Sequence, residues 1–429
     1  MNDRNENRPG YKETKVGWIP EDWNAHACAD ITKQDAPICY GVVQVGTHTE
    51  DGVPIIAIKY LDGIATAPLH RSEKAIESQY KRSRVKPQDV LISVKGTIGE
   101  VGVVPDGFEG NISREIARLR VNSSNSPYFL AQQLQAADTQ QRISKAVVGT
   151  TRLEFSIATL RKFLLSLPPI PEQEAIAEVL SCWDKGLENL EKLIDAKKLR
   201  KKGLMQKLLT GEKRLPAFQR TEAGDQKSEW KEVRLGDVFK EVKRPVDWDD
   251  NNTYSLISVR RRSGGAFLRD QLKGSQILTK NMFTTHTGDF LISKMQVLHG
   301  AMAQVPRHLD GMHISGSYIA LRKKSDDSID MNFFERLSQM KDFYHLTYLS
   351  SYGVHIEKMT FNFKWFMKSE ISIPPTLEEQ KAIAAVLETA DEEIRLLEAE
   401  RDALADQKKG LMQKLLTGEV RCPEYRAAC

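Results

Sequence analysis

The sequence predicts a mixed α/β (α+β) fold, duplicated, with two globular domains separated by two long antiparallel coiled-coil helices and related by a pseudo-two-fold. Three observations predict it. The decapeptide GLMQKLLTGE occurs at Gly203–Glu212 and again at Gly410–Glu419, 207 positions further on. Around each copy, seam residues recur at alternating steps of four and three for about five heptads, the spacing of a coiled-coil seam. Ahead of each seam lie short apolar runs bounded by Gly, Pro and Asp, the pattern of strands.

The duplication extends beyond the decapeptide. PPIPEQEAIAEVL ends at Leu180 and PPTLEEQKAIAAVL at Leu387, again 207 apart, and Gln173–Glu212 aligns with Gln380–Glu419 without a gap. The pairs Pro168-Pro169 and Pro374-Pro375 precede each copy, and proline biases the residue before it away from helix, so each marks the end of an extended stretch. The first seam is Ile176, Leu180, Trp183, Leu187, Leu190, Ile194, Lys197, Lys201, Leu204 and Leu208. The second is Ile383, Leu387, Ala390, Ile394, Leu397, Arg401, Leu404, Lys408, Leu411 and Leu415. Its polar members cost stability but can fix register and partner choice. Gly211 and Gly418 are placed as helix stops. Two helices of about 35 residues would each span about 50 Å.

The regions before the helices echo one another more faintly. Asp89–Pro105 matches Asp289–Pro306, and Trp23 and Trp230 open the two halves, again 207 apart. Strands are expected at Ile55–Tyr60, Val90–Val94, Val101–Val104 and Ile116–Val121, then at Tyr254–Val259, Phe290–Ser293, Met302–Val305 and Tyr318–Arg322. Helices are expected at Tyr128–Lys145 and Met331–Tyr348. The chain is thus expected to divide into a globule at 1–170, a helix at 171–212, a globule at 213–373, a helix at 374–419 and a tail at 420–429.

Composition excludes little but is consistent. At 40% hydrophobic and 28% charged residues the chain is ordinary for a globular protein. It has no run of ~18 apolar residues and no apolar core in MNDRNENRPGYKETK, so no spanning helix or secretory signal is expected, and the cytoplasm is its expected place. Cys28, Cys39, Cys182, Cys422 and Cys429 show neither pairing nor metal spacing. A net charge of +4 permits a polyanionic partner without demonstrating one.

Taken together, VGWIPEDW, the DVLIS..GTIGEVGVVP block, the VVGTTRLEFSIATLRKFLLSLPPIPEQEAIAEVL junction, the LPP..EQ pattern and the repeated GLMQKLLTGE resemble the specificity subunit of Type I restriction–modification systems. The resemblance covers nearly the whole chain. It implies two target recognition domains, each reading one part of a split, asymmetric double-stranded DNA sequence, with paired helices setting the gap. It implies a non-catalytic subunit that docks two methyltransferase (modification) subunits and two ATP-driven restriction subunits. S-adenosylmethionine, ATP and Mg then belong to those partners, and this chain binds no cofactor. The second half reads MQVLHGAMA where the first has GTIGEVG.

Motifs for catalysis are wanting. A base methyltransferase needs Asn- or Asp-Pro-Pro-aromatic, whereas the Pro-Pro pairs follow Leu167 and Ile373. Gly96, Gly99 and Gly102 have the wrong spacing for a dinucleotide fingerprint and read as a hairpin. Contact with DNA needs cations for phosphates and bidentate donors for base edges. The candidates are Lys81, Arg82 and Arg84 in YKRSRVK, Lys95 after a strand, and Arg114 before one. In the second half they are Arg260, Arg261 and Arg262 in a mobile, glycine-flanked loop, and Lys294. Arg152 joins them because the resemblance puts Gly149–Arg152 near DNA, with its counterpart near Tyr352–His355. A second reading, from a different class of function, is a non-catalytic coiled-coil scaffold bridging two proteins, with globules that bind polypeptide.

Overall fold

The computed structural model describes residues 9–147, 153–219, 229–353 and 359–422. It divides into two compact units, the first Met1–Glu191 with Glu400–Cys429, the second Lys192–Ala399. Each is built on a four-stranded antiparallel sheet of the same order. In the first unit the strands run Cys39–Tyr40, Ile116–Leu119, Val90–Ser93, Val101–Val103 across the sheet. In the second they run Phe239–Val242, Tyr318–Lys323, Phe290–Ser293, Met302–Gln304. Val90–Ser93 and Phe290–Ser293 are apolar without alternation because both faces are covered. Val90 and Ile92 enter a core with Trp23 and Leu180, while Leu91 faces Ile56 and Ile116 on the other side. Phe290 and Ile292 likewise divide from Leu291.

A second sheet accompanies each. Val53–Ile56 pairs antiparallel with His70–Ser72 and parallel with Asn111–Ile112. Thr253–Val259 pairs antiparallel with Ala266–Lys273 and parallel with His313–Ser315, to which Met282–Thr284 is added. The strand expected at Ile55–Tyr60 stops at Ile56, and Ile58–Tyr60 forms a 3₁₀ turn. Turning there lets Leu61 and Ile64 cover the core beneath.

Both helices expected between the sheets and the long helices are in fact broken in two, into Pro127–Gln135 and Ala137–Ala146, and into Met331–Ser338 and Lys341–Leu349. Ala136 (φ −58°, ψ 139°) and Met340 (φ −75°, ψ 149°) are extended. Neither break carries Gly or Pro, so periodicity alone missed it. Packing sets it, since Phe129 and Ile143 must reach one core, as must Phe333 and Phe343 in the other unit.

The long helices run Ile170–Leu208 and Leu377–Leu416. Of their seam residues, Ile176, Leu180, Ile194, Leu208, Ile383, Leu387, Ile394 and Leu415 are buried. Leu187, Leu190, Leu204, Leu397, Leu404 and Leu411 are half-buried. In the first unit Ile176 and Leu180 share a core with Leu411, Leu415 and Leu416, and Asp184 pairs with Lys408. In the second, Leu204 and Leu208 share a core with Ile383 and Leu387, while Lys201 pairs with Asp391 and Lys197 with Glu393. Within each unit, numbers rise along one helix as they fall along the other, so the segments are antiparallel. Lys201 and Lys408 are repeat equivalents, as are Asp184 and Asp391, so one ion pair is made twice.

The Glu-Gln pair that starts each long helix has a structural role. Gln173 donates to the Pro168 carbonyl (2.9 Å) and accepts from the Ser126 amide (2.9 Å). Gln380 does the same with Pro374 (3.1 Å) and Asp330 (2.8 Å). The buried Glu172 accepts from Arg421 (2.8 and 2.7 Å) and from the Trp23 indole (3.1 Å). The buried Glu379 holds Arg214 in the same way. Each Arg follows a glycine in the left-handed region, Gly211 (φ 74°) or Gly418 (φ 72°), conformations that other residues adopt at a cost. A Cβ at Gly418 would lie 2.3 Å from Pro20 Cγ.

These carboxylates give a pH prediction. Burial pushes the Glu172 carboxyl up, but the Arg421 guanidinium, the Cys422 amide and the Trp23 indole hold it below its ordinary 4.5. Arg421 lowers Asp22, and Arg84 lowers Glu77. A depressed carboxylate contributes stability above its unfolded pKa and loses it as pH falls through the folded value. Glu335 in the second unit has the opposite sign, because burial raises it and folding then favours its protonated form. The first unit should therefore hold its melting temperature down to about pH 5 and lose it progressively below. Calorimetry across pH 3 to 7 checks this, and Glu172→Gln should flatten the curve. A first-unit midpoint that does not move on acidification rules it out.

Candidate nucleic-acid interface

In the first unit, Lys81 and Arg82 are exposed on the 3₁₀ turn Ser78–Ser83 and make no ion pair among the described residues. Arg84 is committed elsewhere. Its guanidinium grips the buried Glu77 with two bonds of 2.7 and 2.6 Å, and Glu77 also accepts from Asn111 (2.9 Å). Lys95 pairs with Glu154 (3.3 Å), and its Nζ lies 5.9 Å from the ring centre of the exposed Tyr40. Arg114 is exposed and pairs with its neighbour Glu115 (3.1 Å). The edge strand Cys39–Tyr40 joins these groups. The Cys39 thiol donates to the Arg82 carbonyl (3.6 Å) at one end, and Tyr40 stands beside Lys95 at the other. Arg152 lies outside the described residues, with the rest of Gly149–Arg152, and so do Val354 and His355.

Beneath that edge is a buried polar lattice that sequence reasoning did not find. Arg118, 1% exposed, donates to the carbonyls of Pro37 (3.2 Å) and Arg84 (3.4 Å). Arg120 grips the buried Asp89 (2.8 and 2.7 Å), whose second role is to accept from the Lys86 amide (2.7 Å). The second unit repeats the Asp–Arg pair with Asp289 held by Arg244 (2.6 Å) and approached by Arg322 (3.5 Å). Buried charges of this kind need their partners and fix the loops that carry them. The signal available in the sequence was the matched Asp89 and Asp289 ahead of equivalent strands.

In the second unit Arg260, Arg261 and Arg262 are exposed in the hairpin between Thr253–Val259 and Ala266–Lys273. Arg260 lies over the Phe267 ring (4.0 Å), and Arg261 and Arg262 have no ion-pair partner among the described residues. The expected mobility of this loop needs correction. Arg262 and Ser263 donate backbone N–H groups to the carbonyls of His299 (2.6 Å) and Gly300 (2.9 Å), which pin it. Lys294 donates to the Gly316 carbonyl (2.7 Å) and lines a cleft of about 150 Å³ with Lys243, Asn281 and Tyr318. By strand register Lys243 follows Val242 into the row that Tyr40 occupies in the first unit.

The two units thus place cations differently on one framework. Lys95 and Lys294 leave equivalent strands. Lys81–Arg84 and Arg260–Arg262 are not equivalents: the first cluster follows the strand His70–Ser72, whereas the second precedes that strand's counterpart, Ala266–Lys273. Among the described residues no group of His, Cys, Asp or Glu is arranged to hold a metal, and no helix is long and apolar enough to cross a membrane. Cys28 is buried, and burial pushes its thiol up to about 12.

A family model described as the Type I restriction modification DNA specificity domain matches residues 43–197 and 227–405. The chain belongs to that family. The specificity-domain match falls twice, once in each half, as the internal repeat requires. Over 194 residues the chain is 30% identical to the EcoBI specificity subunit of Escherichia coli, covering 44% of this chain and 41% of that protein. It is 26% identical to the putative MjaX specificity subunit of Methanocaldococcus jannaschii, with 96% of each chain covered. In fold it is similar to the S subunit of a Type I restriction–modification system from M. genitalium, at a TM-score of 0.54 and 15% identity, over 92% of this chain and 96% of that one. The resemblance stated from the sequence and the duplicated mixed α/β architecture with two long helices are both confirmed.

Proposed function

We propose that this specificity subunit reads a bipartite, asymmetric double-stranded DNA target, one part with each unit, and recruits two modification and two restriction subunits to it. One observation carries the reading: equivalent sheets and helices bear non-equivalent sets of exposed cations, so a shared scaffold presents two different reading surfaces. In the first unit Lys81, Arg82, Lys95 and Arg114 are the contacts. In the second they are Arg260 to Arg262 and Lys294. Arg84, half exposed, has Nε and one Nη2 donor held by Glu77, which leaves its Nη1 donors for a phosphate. Methyl transfer and ATP hydrolysis, with S-adenosylmethionine, ATP and Mg, fall to the partner subunits, and this chain holds no cofactor and works in the cytoplasm.

Sequencing the methylated bases of a host that carries the chain with its modification subunits tests the reading. A gapped, non-palindromic methylation motif is expected. With the same complex, DNA affinity should fall steeply with salt, with a log–log slope of about −5 if six phosphates are neutralised. A palindromic motif overturns the asymmetric assignment. A complex with no salt-dependent affinity for its duplex favours the protein-bridging scaffold instead.

A further inference from the structure

We propose that Tyr344 is a positioning residue for the arginine hairpin of the second unit, an inference that rests on the DNA-reading function above. Arg262 (φ 56°) and Ser263 (φ 55°) both stand in the left-handed region without being glycine, so something must hold them there. Two backbone bonds to His299 and Gly300 do part of it. Within the turn, the Arg260 amide donates to the Gly265 carbonyl and the Gly264 amide to the Arg261 carbonyl. Among the described residues, the one side-chain hold on it from outside is the Tyr344 hydroxyl, which hydrogen-bonds Ser263 Oγ. Tyr344 belongs to the helix Lys341–Leu349 and packs on the core that contains Phe334 and Phe343. Its hydroxyl also lies directly over Gly300 (φ 70°), where a Cβ would come within 2.2 Å of it. Hairpin, glycine corner and helix therefore meet at one oxygen.

The first unit has a counterpart of this brace. There Gln140, like Tyr344 the fourth residue after the extended break, donates to the carbonyl of Gly99 (2.8 Å). A Cβ at Gly99 (φ 96°) would clash with that side chain. Both units thus brace the same glycine corner from the same helix position, although the loop sequences differ. Only in the second does the bracing group reach one residue further, to the hairpin. Tyr344 need not touch DNA. It lowers the ordering that Arg261 and Arg262 would otherwise undergo on binding.

The test uses the full-length chain assembled with its modification subunits and a duplex carrying the motif defined by methylation sequencing. Tyr344→Phe, Ser263→Ala, the double variant and Arg262→Ala are compared. Tyr344→Phe should keep the melting temperature, speed exchange of the Arg262 and Ser263 amides in the DNA-free protein, and weaken binding about three- to tenfold. Discrimination should relax in one half of the target only, and the double variant should bind no worse than either single one. If Tyr344→Phe leaves exchange and affinity at wild-type values while Arg262→Ala weakens binding, the positioning role is overturned and the hairpin's DNA contact stands. If Arg262→Ala binds as tightly as wild type, the hairpin does not read DNA and the proposal falls with it.

Discussion

A chain ending at Ala399 is expected to lose the first unit while the second remains folded. Residues beyond that point supply Leu415 and Leu416, both about 98% buried, to the core around Trp23, Ile176 and Leu180. They also supply Lys408 for Asp184, Arg421 for Glu172 and Asp22, and the Gly418 carbonyl that accepts from Tyr11 (2.8 Å). Burying two leucines contributes about 3 to 6 kcal/mol. Stranding a buried carboxylate costs roughly 3 to 5 kcal/mol more. The sum is comparable with the 5–15 kcal/mol or so that holds a domain folded. Hydrogen exchange reads the result directly: amides of Val90–Ser93 should lose protection and those of Phe290–Ser293 keep it. Undiminished protection at Val90–Ser93 would show that the second long helix is not part of the first core.

The second large effect comes from single carboxylates. Glu379→Ala removes the carboxylate that grips the mostly covered Arg214 guanidinium, and Glu172→Ala removes the acceptor for Arg421 together with that for the Trp23 indole and the Cys422 amide. Each should cost its own unit roughly 3 to 5 kcal/mol, with Glu172→Ala the more damaging. For units of this size that lowers melting by about 10 °C, and calorimetry should show one of two transitions moving in each variant. Shifts below ~2 °C in both would mean that the Glu–Arg clasps are dispensable.

How far the sequence could be read depended on whether a feature repeats. The long helices and inner strands were legible because GLMQKLLTGE, the Glu-Gln pairs and the apolar runs each occur twice at matched spacing. The Arg214 and Arg421 clasps carried the same signal, 207 positions apart, and were missed because a single Arg after a glycine looks like a solvated end. The breaks at Ala136 and Met340 were illegible for another reason: helix periodicity continues through both, and only the core decides that the chain must turn. At the candidate site, exposure of Arg82 and Arg261 agrees with a charge-cluster reading. The commitment of Arg84 to Glu77 depends on a carboxylate seven residues earlier being folded beneath it, which spacing could not reveal.

The grip of Arg421 on Glu172, across 249 positions of sequence, also sets an order of events during synthesis. The half of the protein made first is the last to close, because its final helix turns leave the ribosome only after the whole second unit has emerged. At translation rates of about 5 to 20 residues per second, the surface around Trp23 and Leu180 waits uncovered for roughly ten to fifty seconds. Until Lys408 to Arg421 emerge, the amino-terminal half of a nascent chain is expected to expose this apolar surface.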